Sequence, residues 1–286
     1  MATTSIQLRG IKYPVHIEGQ GVPSLCIGIG SLTQRTLSDH FKRHFKVYAT
    51  DTYWIEKNKV ADPTSFTMQQ IVDDVIDGAN QLNLESPLLI AHSCFGIVAL
   101  EVAKQKPQPF SGVLLIASPP CWNPESIAFA RDHFDRHASE ERKSNDRARQ
   151  AAYLQKKTPQ DSCLNLNVYE ADIARYWSNF HITRAELEEL WDGIEVDDGL
   201  GLHFYDTLLP AHTLLSLDKI SLPVLLAAGR QDYDSVPLEL WKQFPKPPLF
   251  TILDCGDGCG HWPQIESQPL FDEAVIAHFA QKVSKH

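Results

Sequence analysis

The chain has 286 residues, of which 43% are hydrophobic and 22% are charged, and its formal net charge is −10 at pH 7. The composition is ordinary for a globular protein and the length allows one large hydrophobic core, while the negative charge argues against a nucleic acid or an anionic membrane as partner. The first residues lack the apolar stretch of a signal peptide, and no segment approaches the roughly 20 apolar residues of a membrane-spanning helix.

Cysteines are scattered along the whole chain, at positions 26, 94, 121, 163, 255 and 259. Such a spread is typical of free thiols in a reducing compartment rather than of a disulfide framework. The sequence therefore predicts a cytoplasmic protein.

The first 120 residues predict a sheet with helices between its strands. Residues 5–18 alternate apolar and polar side chains, which predicts two antiparallel strands joined near Gly10. Apolar runs typical of strands buried on both faces follow at residues 25–29, 47–50, 88–91 and 112–117. Helical patterns separate them: one after residue 30 to about Phe45, one opened by a Thr67–Gln70 capping box, and one at 94–105. This alternation predicts βαβ units and a mostly parallel sheet.

The alternation stops between residues 121 and 215. Residues 126–157 are helical in pattern and highly charged, which usually marks a solvated helix face, and aromatic residues follow up to Tyr205. The strand pattern resumes at 222–228 and near 249–253, and a final helix is predicted at about 268–284. We therefore predict a helical cap, residues 121–215, inserted into a core domain formed by residues 1–120 and 216–286.

Ser93 stands at an abrupt change of pattern. The apolar run before it ends at this residue, and a helix of small residues begins at once, with Ala91 and Gly96 on either side. A serine on a sharp strand-to-helix turn is typical of a catalytic nucleophile, and the alternative is an ordinary serine at a strand end. Such a serine needs a histidine to accept its proton and a carboxylate to orient that histidine.

One carboxylate and one histidine follow later strands of the predicted sheet. Asp232 lies in a loop after the strand at 222–228, with Asp234 as a competitor, and either acid could instead serve a helix cap or an Asx turn. His261 follows the last strand in a loop of glycines closed by Pro263. In a doubly wound sheet these loops meet at the carboxyl ends of the strands.

Backbone amides near Ser93 are candidates for an oxyanion hole. The N–H of Cys94 is one, and the loop after the first buried strand supplies the second, from Ile29 or its competitor Gly30. Cys255 and Cys259 suggest a metal site together with His261, but structural zinc requires four ligands and no second cluster lies nearby in the sequence. We therefore predict no metal.

These segments resemble the α/β-hydrolase family, and within it the proline iminopeptidase-like branch, over nearly the whole chain. The similar segments are Ala91-His92-Ser93-Cys94-Phe95-Gly96 for the nucleophile turn, Gly229-Arg230-x-Asp232-Tyr233 for the acid loop, Gly260-His261-x-Pro263-x-x-Glu266 for the histidine loop, and Ala174-Arg175-Tyr176-Trp177 for a cap segment. The resemblance implies an α/β fold with a mostly parallel eight-stranded sheet flanked by helices, an inserted helical cap, a catalytic triad and no cofactor. It also implies that Phe95 and Trp177 bind substrate.

The predicted function is that of a serine hydrolase that cleaves a small, largely apolar ester or amide through an acyl-enzyme. Residues 27–31 replace the His-Gly-Gly-Pro-Gly of proline iminopeptidases, which argues against peptidase activity. The alternatives are a proline iminopeptidase-type aminopeptidase, which would release N-terminal proline from short peptides, and a non-catalytic ligand-binding or sensing module on the same fold. The acids Glu186, Glu188 and Glu189 receive no binding role, because such clusters usually lie on solvated helix faces.

Overall fold

A computed structural model describes residues 2–51, 62–159, 161, 165–194 and 197–280. Its centre is an eight-stranded sheet in the order β1-β2-β4-β3-β5-β6-β7-β8. The strands are β1 Ala2–Leu8, β2 Ile11–Glu18, β3 Val22–Ile27, β4 Phe45–Thr50, β5 Leu88–His92, β6 Gly112–Ile116, β7 Val224–Ala228 and β8 Phe250–Asp254. Strand β2 pairs antiparallel with β1 and β4, and every other pairing is parallel. The predicted fold class is confirmed.

Helices flank the sheet and fill the connection between β6 and β7. The helices of the first half are α1 Gly30–Thr36, α2 Asp39–Lys42, α3 Met68–Gln81 and α4 Phe95–Gln105. Those between β6 and β7 are α5 Pro124–His137, α6 Glu140–Leu154, α7 Leu166–Ala171, α8 Ile173–Tyr176, α9 Arg184–Trp191, α10 Asp198–His203 and α11 Leu209–Ala211. The remaining helices are α12 Pro237–Gln243, α13 Pro263–Glu266 and α14 Gln268–Val275, which continues as a π-helical turn to Ala280. We call residues 121–215 the inserted segment.

The buried strands are apolar throughout because helices cover both faces of the sheet. Successive side chains of a strand point to opposite faces. Leu89 of β5 accordingly packs in one apolar cluster with Val98 of α4, whereas Leu88 packs in a second cluster with Phe271 of α14. Among the described residues, no helix has the length and apolar character needed to cross a bilayer.

Most local predictions are confirmed, and one is wrong. The first two strands are joined at Gly10, and Thr67 and Gln70 form the capping box at the start of α3. The single helix predicted from about residue 30 to Phe45 is instead two helices, α1 and α2, which end at Thr36 and Lys42, and Phe45 begins β4. The four-residue spacing of Phe41 and Phe45 looks helical, but their rings stack at 4.4 Å across the turn into the strand.

Two predictions extend beyond the described residues. Residues 281–284 of the predicted final helix and Cys163 lie outside them. The other five cysteines are buried free thiols.

Candidate active site

Ser93 lies on a sharp turn between β5 and α4. Its φ of +57° is in the left-handed region, which costs energy for any residue with a Cβ atom. The Ser93 N–H donates to the carbonyl of Ile116 on β6 at 2.8 Å, and its own carbonyl accepts the Gly96 N–H at 3.0 Å. A Cβ atom at Gly96 would meet the Ser118 side chain at 2.4 Å, so a glycine is needed here. The turn therefore holds a strained serine at the carboxyl end of a central strand, as the sequence predicts.

Asp232 and His261 meet beside that strand end. His261 Nδ1 lies 2.8 Å from Asp232 Oδ2, and both side chains are fully buried. Burial alone would lower the pKa of His261, but the charge and the hydrogen bond of Asp232 outweigh it and raise the pKa above its ordinary value. The carboxylate that contacts the histidine is that of Asp232 rather than Asp234.

Hydrogen bonds hold the Asp232 carboxylate in this orientation. Its Oδ1 accepts the backbone N–H groups of Asp234 and Ser235 at 3.2 and 3.1 Å. Ser235 Oγ donates to Oδ2 at 3.0 Å and also lies 3.1 Å from the carbonyl of Ala117. The sequence reasoning missed Ser235, although a hydroxyl three residues after an acid at a strand end is the spacing at which side chain and backbone often bond.

The other ring nitrogen of His261 is free to accept a proton. No described residue, Ser93 included, forms a hydrogen bond with the buried Nε2 atom of His261. Catalytic hydrogen bonds of this kind are often long without substrate and tighten when it binds. The three candidate side chains thus share one edge of the sheet, and the Asp232–His261 contact is already formed.

His92, next to Ser93 in the chain, anchors the histidine loop through a hydrogen bond. Its Nε2 lies 2.9 Å from the backbone carbonyl of His261, and because a carbonyl only accepts, this nitrogen carries the proton. Burial lowers the pKa of His92 well below its ordinary value, so its ring stays neutral. The sequence places His92 in the nucleophile turn, but only the fold shows that it holds the loop after β8.

The loop proposed for the oxyanion hole packs against the nucleophile turn. Gly28 has φ +87°, and a Cβ atom there would meet the Phe95 ring at 2.5 Å. Asp51, directly after β4, accepts the N–H of Ser31 with its Oδ1 at 2.7 Å and so anchors the first turn of α1, which follows the loop. Phe95 is buried between this loop and Phe204, with which it stacks at 5.3 Å. Ile29 is the last residue of the loop and Gly30 is the first residue of α1, and the choice between them as oxyanion donor stays a prediction.

A pocket of about 410 Å³ lies between the inserted segment and the acid loop. Its lining includes Trp122, Tyr176 and the carboxylates Asp172 and Asp234. The Tyr176 ring also lies 5.1 Å from the His261 ring, so the pocket adjoins the candidate catalytic residues. Burial raises the pKa of Asp234 to about 7 and that of Asp172 to about 6.

Trp177 lies behind this pocket rather than on its wall. It is 4% exposed and stacks on Trp262 at 5.6 Å, while its neighbour Tyr176 lines the pocket. Of these two adjacent aromatic residues, Trp177 packs in the core and Tyr176 lines the pocket, and the sequence alone does not show which does which.

The cysteines near His261 are buried free thiols. In the part of the chain that the structure describes, no group of three or more His, Cys, Asp or Glu side chains is arranged to hold a metal ion. Asp232 already occupies Nδ1 of His261, which leaves that nitrogen unavailable as a ligand.

The family follows from a comparison of the sequence with family models. The model described as the alpha/beta hydrolase family matches residues 27–273, which is most of the chain. The chain belongs to this family. Its members are hydrolases and include esterases.

Individual relatives of this alpha/beta hydrolase are distant in sequence. The AB hydrolase superfamily protein YclE of Bacillus subtilis (strain 168) is 24% identical over 273 residues, which cover 93% of this chain and 94% of YclE. A thermophilic esterase from Thermogutta terrifontis is similar in structure, with a TM-score of 0.68, 19% identity and 99% of each chain covered. A proline iminopeptidase from Mycobacterium smegmatis has a TM-score of 0.69, 16% identity and 98% of each chain covered. These structures share the fold, and the finer assignment to the proline iminopeptidase-like branch stays a prediction.

Proposed function

We propose that this alpha/beta hydrolase is a serine hydrolase that cleaves small esters or amides with Ser93, His261 and Asp232. One observation carries the proposal. The buried contact between Asp232 Oδ2 and His261 Nδ1 at 2.8 Å leaves the Nε2 atom of His261 without a partner among the described residues. The His261 ring lies 4.7 Å from the ring of His92, which precedes Ser93 on its left-handed turn.

The geometry supports the following sequence of steps. With the His261 proton on Nδ1, Nε2 accepts the Ser93 hydroxyl proton as Oγ attacks the substrate carbonyl carbon. The resulting oxyanion accepts hydrogen bonds from the N–H of Cys94 and from that of Ile29 or Gly30. The bond to the leaving group then breaks, and the imidazolium returns its proton to that group. Water attacks the acyl-enzyme, with His261 again as base, and restores the Ser93 hydroxyl.

The environment of His261 favours this chemistry. The imidazolium forms in a fully buried site, where an unpaired charge would be costly. The Asp232 carboxylate compensates that charge at hydrogen-bond distance and raises the pKa of His261. The Cys94 thiol lies beside the nucleophile, but burial raises its pKa well above the ordinary value, so it stays protonated and its backbone N–H is the useful group.

The pocket beside Tyr176 supports a substrate of modest size. A volume of about 410 Å³ lies toward the small end of ligand pockets, which span roughly 300 to 1,000 Å³. In this proposal the inserted segment is the cap over the site. It supplies the aromatic wall at Tyr176 and the carboxylate of Asp172, whereas the carboxylate of Asp234 comes from the acid loop.

The test is labelling with a fluorophosphonate together with turnover of p-nitrophenyl acetate. We expect Ser93→Ala to abolish both and His261→Ala to abolish nearly all turnover. The matched control is Ser65→Ala, which removes the hydroxyl of an exposed serine outside the predicted catalytic residues and should behave as wild type. Retained turnover in Ser93→Ala would show that the nucleophile is wrong. A folded wild-type protein that is not labelled would instead favour the non-catalytic ligand-binding module.

A second candidate function, an aminopeptidase, is favoured by the two carboxylates in the pocket. Asp172 and Asp234 line it together with Trp122 and Tyr176, and carboxylates and aromatic faces both attract a substrate ammonium group. Arg131 and Arg175 line the same pocket, and Arg175 pairs with Asp172 at 3.9 Å, so Asp234 is the carboxylate left to bind the ammonium. Turnover of prolyl p-nitroanilide and of its N-acetylated form separates the two functions. A clear preference for the free amine, reduced in Asp234→Asn, supports an aminopeptidase, and equal rates support the esterase.

A further inference from the structure

A short strap of the inserted segment, residues 174–178, lies against both loops that carry the candidate catalytic residues. The N–H of Tyr233, next to Asp232, donates to the Arg175 carbonyl at 2.9 Å. The N–H of His261 itself donates to the Tyr176 carbonyl at 2.6 Å. Two successive carbonyls of the strap therefore hold the backbones of the acid loop and of the histidine loop.

Glu266 fastens the strap to the histidine loop. Its Oε1 accepts the Ser178 N–H at 2.6 Å, and its Oε2 accepts the Gly260 N–H at 2.8 Å. The backbones are in close contact here, because a Cβ atom at Gly260 would meet the Tyr176 carbonyl oxygen at 2.3 Å. One carboxylate thus joins an amide of the strap to the amide immediately before His261.

Arg142 of α6 fastens the strap to the acid loop. Its Nη1 donates to the carbonyls of Ala174 and Trp177 at 2.8 and 2.7 Å. Its Nη2 donates to the Ser178 carbonyl at 2.7 Å and to Gln231 Oε1, one residue before Asp232, at 3.0 Å. Helix α8 ends in this strap, and carbonyls at a helix C-terminus need donors from outside the helix and favour a cation.

Arg142 is a buried charge with no counter-ion within contact distance among the described residues, only carbonyl and amide oxygens. Burial lowers its pKa, while Glu266 nearby acts in the opposite direction. The guanidinium also lies 4.5 Å from the Phe180 ring and 5.3 Å from the Tyr233 ring. A buried charge is costly unless hydrogen bonds compensate it. All the hydrogen-bond acceptors of Arg142 lie on the strap or on the acid loop, so its burial serves to hold these two segments together.

We infer that Arg142 and Glu266 are positioning residues, which set the Asp232–His261 contact through the strap. The inference deepens the proposed function and rests on it for its kinetic readout. The contact joins two side chains on separate loops, so its length depends on how those loops are held relative to each other. The inserted segment is in this respect a structural part of the catalytic site as well as a wall of the pocket.

The test compares Arg142→Gln, Arg142→Lys and Glu266→Gln in the full chain, using p-nitrophenyl acetate turnover. We expect kcat to fall about 10- to 100-fold in Arg142→Gln and Glu266→Gln, because a misplacement near 1 Å is known to cost that much. KM should stay within about threefold, since neither side chain is proposed to bind substrate. Arg142→Lys should lie between, because an ammonium group keeps the charge but lacks the planar fork that reaches several acceptors.

The matched control is Arg149→Gln on the same helix. Arg149 donates to the Ile182 carbonyl within the inserted segment at 3.0 Å and to Asn145 Oδ1 at 2.9 Å. The Arg149→Gln substitution therefore removes another arginine of α6 that has no hydrogen bond to the strap. The kcat of this variant should stay within about twofold of wild type.

A spectroscopic readout separates positioning from general destabilisation. We expect the His261 Nδ1–H that donates to Asp232 to give a far-downfield proton NMR resonance in the wild type. This resonance should weaken or vanish in Arg142→Gln and Glu266→Gln and persist in Arg149→Gln. Folded variants that keep both the resonance and wild-type kcat overturn the inference, as does a rise in KM alone. If the wild type neither turns over esters nor reacts with fluorophosphonate, the proposed function fails, but the resonance still tests the strap.

Discussion

Replacing Asp232 with asparagine tests the orienting role of this side chain with almost no change in shape. In the structure, Oδ1 faces the backbone N–H groups of Asp234 and Ser235, whereas Oδ2 faces His261 Nδ1. An asparagine keeps its carbonyl oxygen toward the two N–H donors, because its NH₂ group cannot accept from them. The NH₂ group is then directed at His261 Nδ1.

That arrangement forces the wrong tautomer on His261. Its Nδ1 must accept from the NH₂ group, so the ring proton moves to Nε2, which can no longer take the proton of Ser93. Loss of the orienting acid in serine proteases costs about 10⁴-fold in kcat, and we expect a similar loss, equivalent to about 5 kcal/mol of barrier at 1.36 kcal/mol per tenfold. Ser235 Oγ keeps an acceptor in the Ala117 carbonyl, so the loop should stay folded.

The assay is kcat/KM for an activated ester, measured for wild type, Asp232→Asn and Asp234→Asn. Asp234 lies two residues away in the same loop and lines the pocket, so its variant should lose less than about tenfold in kcat. If Asp234→Asn is the more damaging change, or if Asp232→Asn stays within about tenfold of wild type, then the tautomer argument is wrong.

Two further predictions concern stability. Burial would raise the pKa of Glu101, but hydrogen bonds from His212, Lys104 and Gln105 outweigh it and hold the pKa at about 2, against 4.5 for the free side chain. The stabilisation by ionised Glu101 is therefore complete above about pH 5 and is lost as the pH falls toward 2. In urea unfolding, the free energy of unfolding should thus fall less steeply with acid pH in Glu101→Gln than in wild type. Equal slopes of unfolding free energy against pH would contradict this. Gly28→Ala should lower the free energy of unfolding by about 2–4 kcal/mol, because a positive φ and contact with the Phe95 ring both oppose a Cβ atom. Gly256→Ala, with a similar φ and no atom within 4 Å, should cost only about 1 kcal/mol, and equal losses would exclude the ring contact as a cause.

Local sequence was sufficient for the features that depend on neighbouring residues. Apolar runs broken by helical patterns predicted the order of strands and helices, because strands covered on both faces must be apolar throughout. The small residues around Ser93 predicted the strained turn, because a Cβ atom at Gly96 has no room. The positions of Asp232 and His261 after later strands predicted that their loops meet, because parallel strands bring their carboxyl ends to one edge.

Tertiary structure alone decided which groups touch. Asp232 and Asp234 are two residues apart, and only the hydrogen bonds of the loop direct the first toward His261 and the second toward the pocket. The spacing of Phe41 and Phe45 cannot show that the chain turns from helix to strand between them.

The strap shows the same limit over a longer range. Arg142 reads in the sequence as one more charge on a solvated helix, yet it is 4% exposed and contacts carbonyls more than thirty positions away. The pattern of apolar and polar residues along the sequence indicates which positions are buried and whether the segment is a helix or a strand. The partners of a buried charge depend on how distant segments pack, and that is the part of this protein that only the folded chain determines.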